Sequence, residues 1–358
     1  MNGQLPSRYK PLTKTVLPGG FGNVQRVRDT FLQREVLFKS MQDPANNGQL
    51  LSEIRALAKA RSRHVVEIYD VVVDAGGIVV GIVIEYLTGR EYLSFHIGAQ
   101  GDVPGYLKAL YQLATALRDL HAERVVHRDL KLENFRDSSS GILKLFDFGI
   151  STVGTGYHTL NNRGTYVYAA PELYVAGATI TPEMDIYALG ICAWALAQNT
   201  WPPELQECPP QVSRPARSID SVKPGWLPAE IAQSIDSCLN PDPQGRPTAV
   251  ALRELFAKHL VRGRHRGIFV QGNKAIYELS DTKRNVTIKI GALGELKVAY
   301  DDLTFKIVGV TGNVLVNNQT AVIGAELPAS CVLTFGSSNL GAGREWVTFS
   351  SSHPEVIL

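Results

Sequence analysis

His127-Arg128-Asp129-Leu130-Lys131-Leu132-Glu133-Asn134 sets an aspartate beside an arginine, a lysine two residues on, and an asparagine three beyond that. Upstream, residues 104–123 carry Leu107, Leu110, Tyr111, Ala114, Leu117 and Leu120 at helical spacing. The octapeptide therefore reads as a polar loop leaving a long amphipathic helix. Loops held on such rigid support are where proteins place their chemistry.

Working outward, Asp147-Phe148-Gly149 follows a hairpin-like stretch, and Ala170-Pro171-Glu172 closes the next loop. Toward the N-terminus, Val36-Leu37-Phe38-Lys39 ends an apolar strand on a lysine. Glu53 lies on the following helix, residues 49–60, where Leu50, Ile54, Leu57 and Ala58 recur at helical spacing. Earlier still, Gly19-Gly20-Phe21-Gly22-Asn23-Val24 is a glycine-rich turn whose backbone amides can approach phosphate oxygens closely. Taken singly, a glycine-rich turn usually only connects strands. The ordered set supplies what phosphoryl transfer requires: a phosphate cradle, a lysine, cation ligands and a base.

On these motifs, residues from about Tyr9 to Val261 resemble a eukaryotic-type (bacterial) serine/threonine protein kinase domain. Asp185-Ile186-Tyr187-Ala188-Leu189-Gly190 and Arg246-Pro247 add to the likeness. The resemblance implies an α+β bilobal fold, with a small β-rich N-lobe and a larger helical C-lobe. It implies that Asp129 handles the proton of the substrate hydroxyl, that Lys131 steadies the phosphoryl group, and that Asn134 and Asp147 hold Mg2+ (or Mn2+). Lys39 binds the ATP phosphates and pairs with Glu53. Leu17, Gly19, Gly20, Phe21, Gly22, Val24 and Leu37 cover the nucleotide, while the backbone of Glu85 and Leu87 meets the adenine edge. Glu172 pairs with Arg246, and both are structural, as is Asp185. Arg128 beside Asp129 implies control by phosphorylation of the activation loop. Thr155 and Thr159 are the preferred sites there, among Ser151, Thr152 and Tyr157. The substrate is a protein with a serine or threonine acceptor.

Three positions depart from the family pattern. Leu17 replaces the first loop glycine, with Pro18 beside it; Leu37 replaces a small residue above the adenine; Arg136 replaces an apolar residue below it. The stem of Arg136 can lie against the ring while its guanidinium reaches solvent. These changes predict modest ATP affinity. They leave a second reading open, a nucleotide-binding pseudokinase acting as a signalling scaffold.

The sequence divides into an N-terminal tail (1–8), a kinase domain (9–261), a linker (262–267) and a small all-β domain (268–358). In the last, β-branched runs at 286–290, 305–310, 314–316 and 346–349 alternate with glycine and asparagine, which predicts a sandwich. The stretch 311–318 and Leu333-Thr334-Phe335-Gly336 resemble forkhead-associated domains, implying a protein partner. The phosphothreonine-gripping residues are not evident: Ala292 follows Ile290-Gly291, and Asp301-Asp302 places two carboxylates where a phosphate would be repelled. Asn317 and Asn318 read as turn residues.

Bulk properties narrow the rest. With 36 basic and 34 acidic residues the formal charge is +2, which gives no general attraction to nucleic acid or anionic membrane. Cys192, Cys208, Cys238 and Cys331 have no metal-binding spacing and read as buried small hydrophobes. The N-terminus shows no signal-peptide pattern, and the apolar region 65–87 is broken by acidic residues. The expectation is a cytoplasmic protein.

Overall fold

The computed structural model describes residues 5–13, 17–18, 22–41, 47–149, 151–153, 166–198, 200–272, 274–352, 354 and 356. The chain separates into two units, one running to Phe256 and the other covering Ala257–Ile357.

The first unit opens with strands β1 (Tyr9–Pro11), β2 (Leu17–Pro18), β3 (Gly22–Asp29) and β4 (Arg34–Met41), then helix α1 (Asn47–Lys59), then β5 (Ile68–Val73) and β6 (Val79–Glu85). They form an antiparallel sheet ordered β1-β3-β4-β6-β5, with β2 also paired to β3. Strand alternation fixes what each residue of β4 can do. Val36 and Phe38 are buried in a cluster with Tyr9, Val27, Val72 and Val83. Leu37 and Lys39 take the other face, in register with Ile84 and Ile82 of β6.

Helix α2 (Val103–Ala122) follows, its first turn capped by the Asp102 carboxylate, which accepts from the Gly105 amide. Its stripe of Leu107, Leu110, Leu113, Ala114, Leu117 and Leu120 is buried. Next come β7 (Val125–Val126), the hairpin β8 (Phe135–Asp137) and β9 (Leu143–Leu145), and β10 (Thr152–Val153), which pairs back onto β7. Helix α3 (Pro182–Ala197) is buried throughout from Met184 to Ala197, as an all-round apolar sequence requires. Residues 201–224 contain only short 3-10 turns, before α4 (Ala229–Cys238) and α5 (Ala249–Leu260). Arg246, its side chain fully enclosed, forks onto both Glu172 carboxylate oxygens at 2.7 and 2.8 Å. It also donates to the carbonyls of Glu183, Asn240 and Pro241.

The second unit holds β11 (Gly267–Gln271), β12 (Ala275–Leu279), β13 (Asn285–Ile290), β14 (Gly294–Tyr300), β15 (Phe305–Gly312), β16 (Val314–Val316), β17 (Gln319–Thr320), β18 (Ser330–Phe335) and β19 (Glu345–Ser351). One antiparallel sheet runs β12-β11-β19-β18-β16-β17, the other β13-β14-β15. Val286, Ile288 and Ile290 meet Leu333, Phe335, Val347 and Phe349 in a single core. Asn317 and Asn318 both have positive φ, 46° and 65°, and form the two-residue turn joining β16 to β17. Asp301 and Asp302 are not a bare carboxylate pair. Asp301 bonds Lys306 and the Leu303 and Thr304 amides, and Asp302 pairs with Arg284 at 2.6 Å.

Cysteine exposure corrects one expectation. Cys192, Cys238 and Cys331 are buried, but Cys208 is exposed in the proline-rich stretch between α3 and α4. No helix among the described residues is long and apolar enough to cross a membrane.

Candidate active site

Lys39 organises the site. Its ammonium donates to Glu53 Oε1 and to Asp147 Oδ1, both at 2.8 Å, joining β4, α1 and the segment after β9. Glu53 sits on the same buried stripe of α1 as Leu50, Ala56 and Leu57. Burial works against the Lys39 charge, but Glu53 and Asp147 outweigh it and its pKa stands above the ordinary lysine value. Desolvation likewise opposes the Asp147 carboxylate, yet Lys39 holds its pKa below the usual range. For Glu53 burial wins and its pKa is raised.

The octapeptide loop lies under this triad. Asp185, buried in the first turn of α3, accepts from the backbone amides of His127 and Arg128 at 2.9 and 2.8 Å, and His121 Nε2 meets it at 2.9 Å. These bonds hold the Asp185 pKa low against complete burial. The backbone is thereby pinned where Arg128 adopts a φ of 70°; Asp147 has 64°. Left-handed backbone at non-glycine residues costs about 1–3 kcal/mol and persists where surrounding bonds over-determine it. Asp129 is buried and ion-pairs with Lys131 at 2.8 Å. Asn134 Nδ2 donates to the Asp129 carbonyl and to its Oδ2, at 2.8 and 2.9 Å. The Phe146 amide bonds the Asn134 carbonyl at 2.9 Å, which ties the loop to Asp147.

Asp147 keeps 26% of its side chain accessible. The Asn134 Nδ2 is spent on Asp129, which leaves the side-chain Oδ1 as the atom to meet a cation. A carboxylate and an amide oxygen held beside a lysine are the hard oxygen donors that Mg2+ prefers, with the remaining positions left to water and phosphate. The residues present fit such a cation.

The family model of the protein kinase domain matches residues 13–258. The chain belongs to the protein kinase family. It is 30% identical over 258 residues to mitogen-activated protein kinase kinase 2 of Arabidopsis thaliana, covering 68% of this chain and 70% of that protein. It is also 30% identical over 249 residues to serine/threonine-protein kinase PrkC of Bacillus subtilis, across 66% of this chain and 37% of the relative. A Corynebacterium efficiens relative, serine/threonine-protein kinases drp72, is 30% identical over 252 residues, 64% of this chain and 46% of that protein. The chain thus spans less than half of either bacterial relative. The enzyme class that the family and these relatives support is ATP-dependent serine/threonine protein kinase.

Other residues singled out in the kinase sequence fall as follows. Val24 pairs with Leu17 on one side and with Lys39 on the other. Gly22 begins β3, whereas Gly19, Gly20 and Phe21 lie outside the described residues, as do Thr155, Tyr157 and Thr159. Ser151 and Thr152 are buried; the Ser151 hydroxyl donates to the Phe148 carbonyl and Thr152 sits in β10. The Glu85 carboxylate turns to Lys144, 2.6 Å away. The Arg136 guanidinium donates to the Leu87 carbonyl at 3.3 Å and pairs with Glu91, while its side chain stays 31% exposed.

Two residues of this neighbourhood escaped the sequence reading, Lys144 and Glu91. Lys144 carried a usable signal, a lone lysine within Leu143-Lys144-Leu145, the same kind of pattern that marks Lys39. Glu91 carried none.

Proposed function

We propose that this chain transfers the γ-phosphate of ATP to a serine or threonine hydroxyl of a protein, using a bilobal kinase domain over residues 9–261. The observation that carries the reading is the Lys39 ammonium, 2.8 Å from carboxylates 14 and 108 residues away in sequence. In this reading Asp129 orients the acceptor hydroxyl and takes its proton. Lys131, already paired with Asp129, moves to the transferring phosphoryl oxygens. Lys39 holds the α/β-phosphates, kept in place by Glu53. Asn134 and Asp147 hold Mg2+, which neutralises phosphate charge when bound. Leu17, Gly19, Gly20, Phe21, Gly22, Val24 and Leu37 close over the nucleotide, and the backbone of Glu85 and Leu87 meets the adenine edge. Thr155 and Thr159 receive phosphate by autophosphorylation, and the β domain, similar to forkhead-associated domains, takes a protein partner. That last likeness is supported by the two-sheet antiparallel sandwich.

The test is radiolabel transfer from ATP with Mg2+ to the protein itself and to a generic acceptor, followed by acid hydrolysis. Wild type yields phosphoserine or phosphothreonine, and Asp129→Asn lowers the rate by about 10²–10⁴-fold. Equal labelling of the two proteins sinks the role of Asp129. Nucleotide binding without labelling of either favours the scaffold reading.

A further inference from the structure

We infer that Arg136 is a specificity-determining residue of the nucleotide site, whose locked guanidinium sets the affinity for the base and keeps it low. The inference rests on the ATP-binding reading above and deepens it. Strand alternation along β8 buries Phe135 and Asp137 and turns the half-buried Arg136 to the opposite face. From there the guanidinium reaches Leu87, two residues beyond the end of β6. It is held twice, by the Leu87 carbonyl and by Glu91, whose backbone also bridges that of Arg136.

This lock is not needed to fasten the segment after β6. Asp137 already does so. Its carbonyl accepts from the Gly89 amide at 2.9 Å, and its amide donates to the Arg90 carbonyl at 3.0 Å. Its carboxylate takes the Tyr92 hydroxyl at 2.7 Å and the Arg90 guanidinium at 3.3 Å. Among the described residues, Arg136 is the one that occupies the Leu87 carbonyl, and it leaves a charged group 31% exposed beside it. A base entering there meets an acceptor already engaged and must strip water from a cation, which costs free energy that an apolar floor does not. Glu91, itself 60% exposed, adds a surface ion pair to the bond with Leu87. Among the described residues, no hydrogen bond or ion pair connects Arg136 with Lys39, Asp129, Asn134 or Asp147. Its effect therefore falls on binding and not on the transfer step.

The test compares wild type, Arg136→Leu and Arg136→Lys by calorimetric ATP binding with Mg2+, and by steady-state kinetics. Arg136→Leu lowers the ATP Kd and KM by about five- to tenfold with kcat within about twofold. Arg136→Lys, which keeps the charge but cannot hold the Leu87 carbonyl and Glu91 with one planar fork, gives a Kd between those of wild type and Arg136→Leu. Binding by Arg136→Leu that is equal to or weaker than wild type overturns the inference, as does tightening by both variants alike. If neither wild type nor Arg136→Leu binds ATP, the kinase reading itself fails.

Discussion

Lys39 and Glu53 have little access to water and Asp147 has more, so the energetics of this ion cluster turn on what happens when one of the buried pair is removed. Desolvation of buried charges cancels much of their mutual attraction, whereas an orphaned buried charge costs about 3–5 kcal/mol. Lys39→Met therefore abolishes phosphoryl transfer and also lowers Tm, by roughly 10 °C for a unit of this size. Adding Glu53→Gln to Lys39→Met recovers most of the Tm and none of the activity. Scanning calorimetry alongside the label-transfer assay checks both halves; a Lys39→Met protein as stable as wild type contradicts the coupling. Residue by residue, the cluster was half legible in sequence. Glu53 stood out as a carboxylate on the helix after Lys39, and Lys39 as a cation ending an apolar strand, whereas the buried stripe of Leu50, Glu53, Ala56 and Leu57 came only with the structure. The direction of the Arg136 guanidinium was not legible, because it depends on Leu87 and Glu91, 49 and 45 residues away.

At the scale of elements, the three-residue edge strand β1 pairs with β3 and is tied down further by an ion pair just before it. Arg8 donates Nε and Nη2 to the two Asp29 oxygens at 2.9 and 2.7 Å, and the Phe31 and Leu32 amides bond the same carboxylate. The Arg8 bond leads in lowering the Asp29 pKa from 3.8 to about 2. A carboxyl depressed in the folded state contributes fully above its ordinary value and loses that contribution as pH falls through the lower one. Asp29→Asn accordingly loses stability at neutral pH, and wild type loses its advantage between about pH 4 and pH 2. Urea unfolding of both proteins across that window reads it; a difference that stays constant with pH contradicts the assignment. The helices read at 49–60 and 104–123 were legible to within two residues, since their apolar periodicity marks them directly. Two-residue strands like β7 and β10 were not, because their pairing joins positions 26 and 28 residues apart and leaves no local pattern.

Across the whole molecule, each unit has its own core. Phe269, Leu296, Val298, Ile307, Leu333, Phe335 and Phe349 bury one another within the second unit. Residues 257–358 alone are expected to unfold cooperatively on heating with a β-type circular dichroism spectrum; a gradual, featureless melt contradicts a self-sufficient core. The kinase architecture was legible because its motifs are local and ordered, while the partner of the β domain was not, since sheet faces carry no comparable signature. The most direct test of the central claim is calorimetric ATP binding with and without Mg2+, in wild type and in Asp147→Asn. Mg2+ is expected to tighten ATP binding to wild type and to have little effect on the variant. Tightening of equal size in both, or none in wild type, contradicts a nucleotide and its cation meeting between Lys39, Asn134 and Asp147.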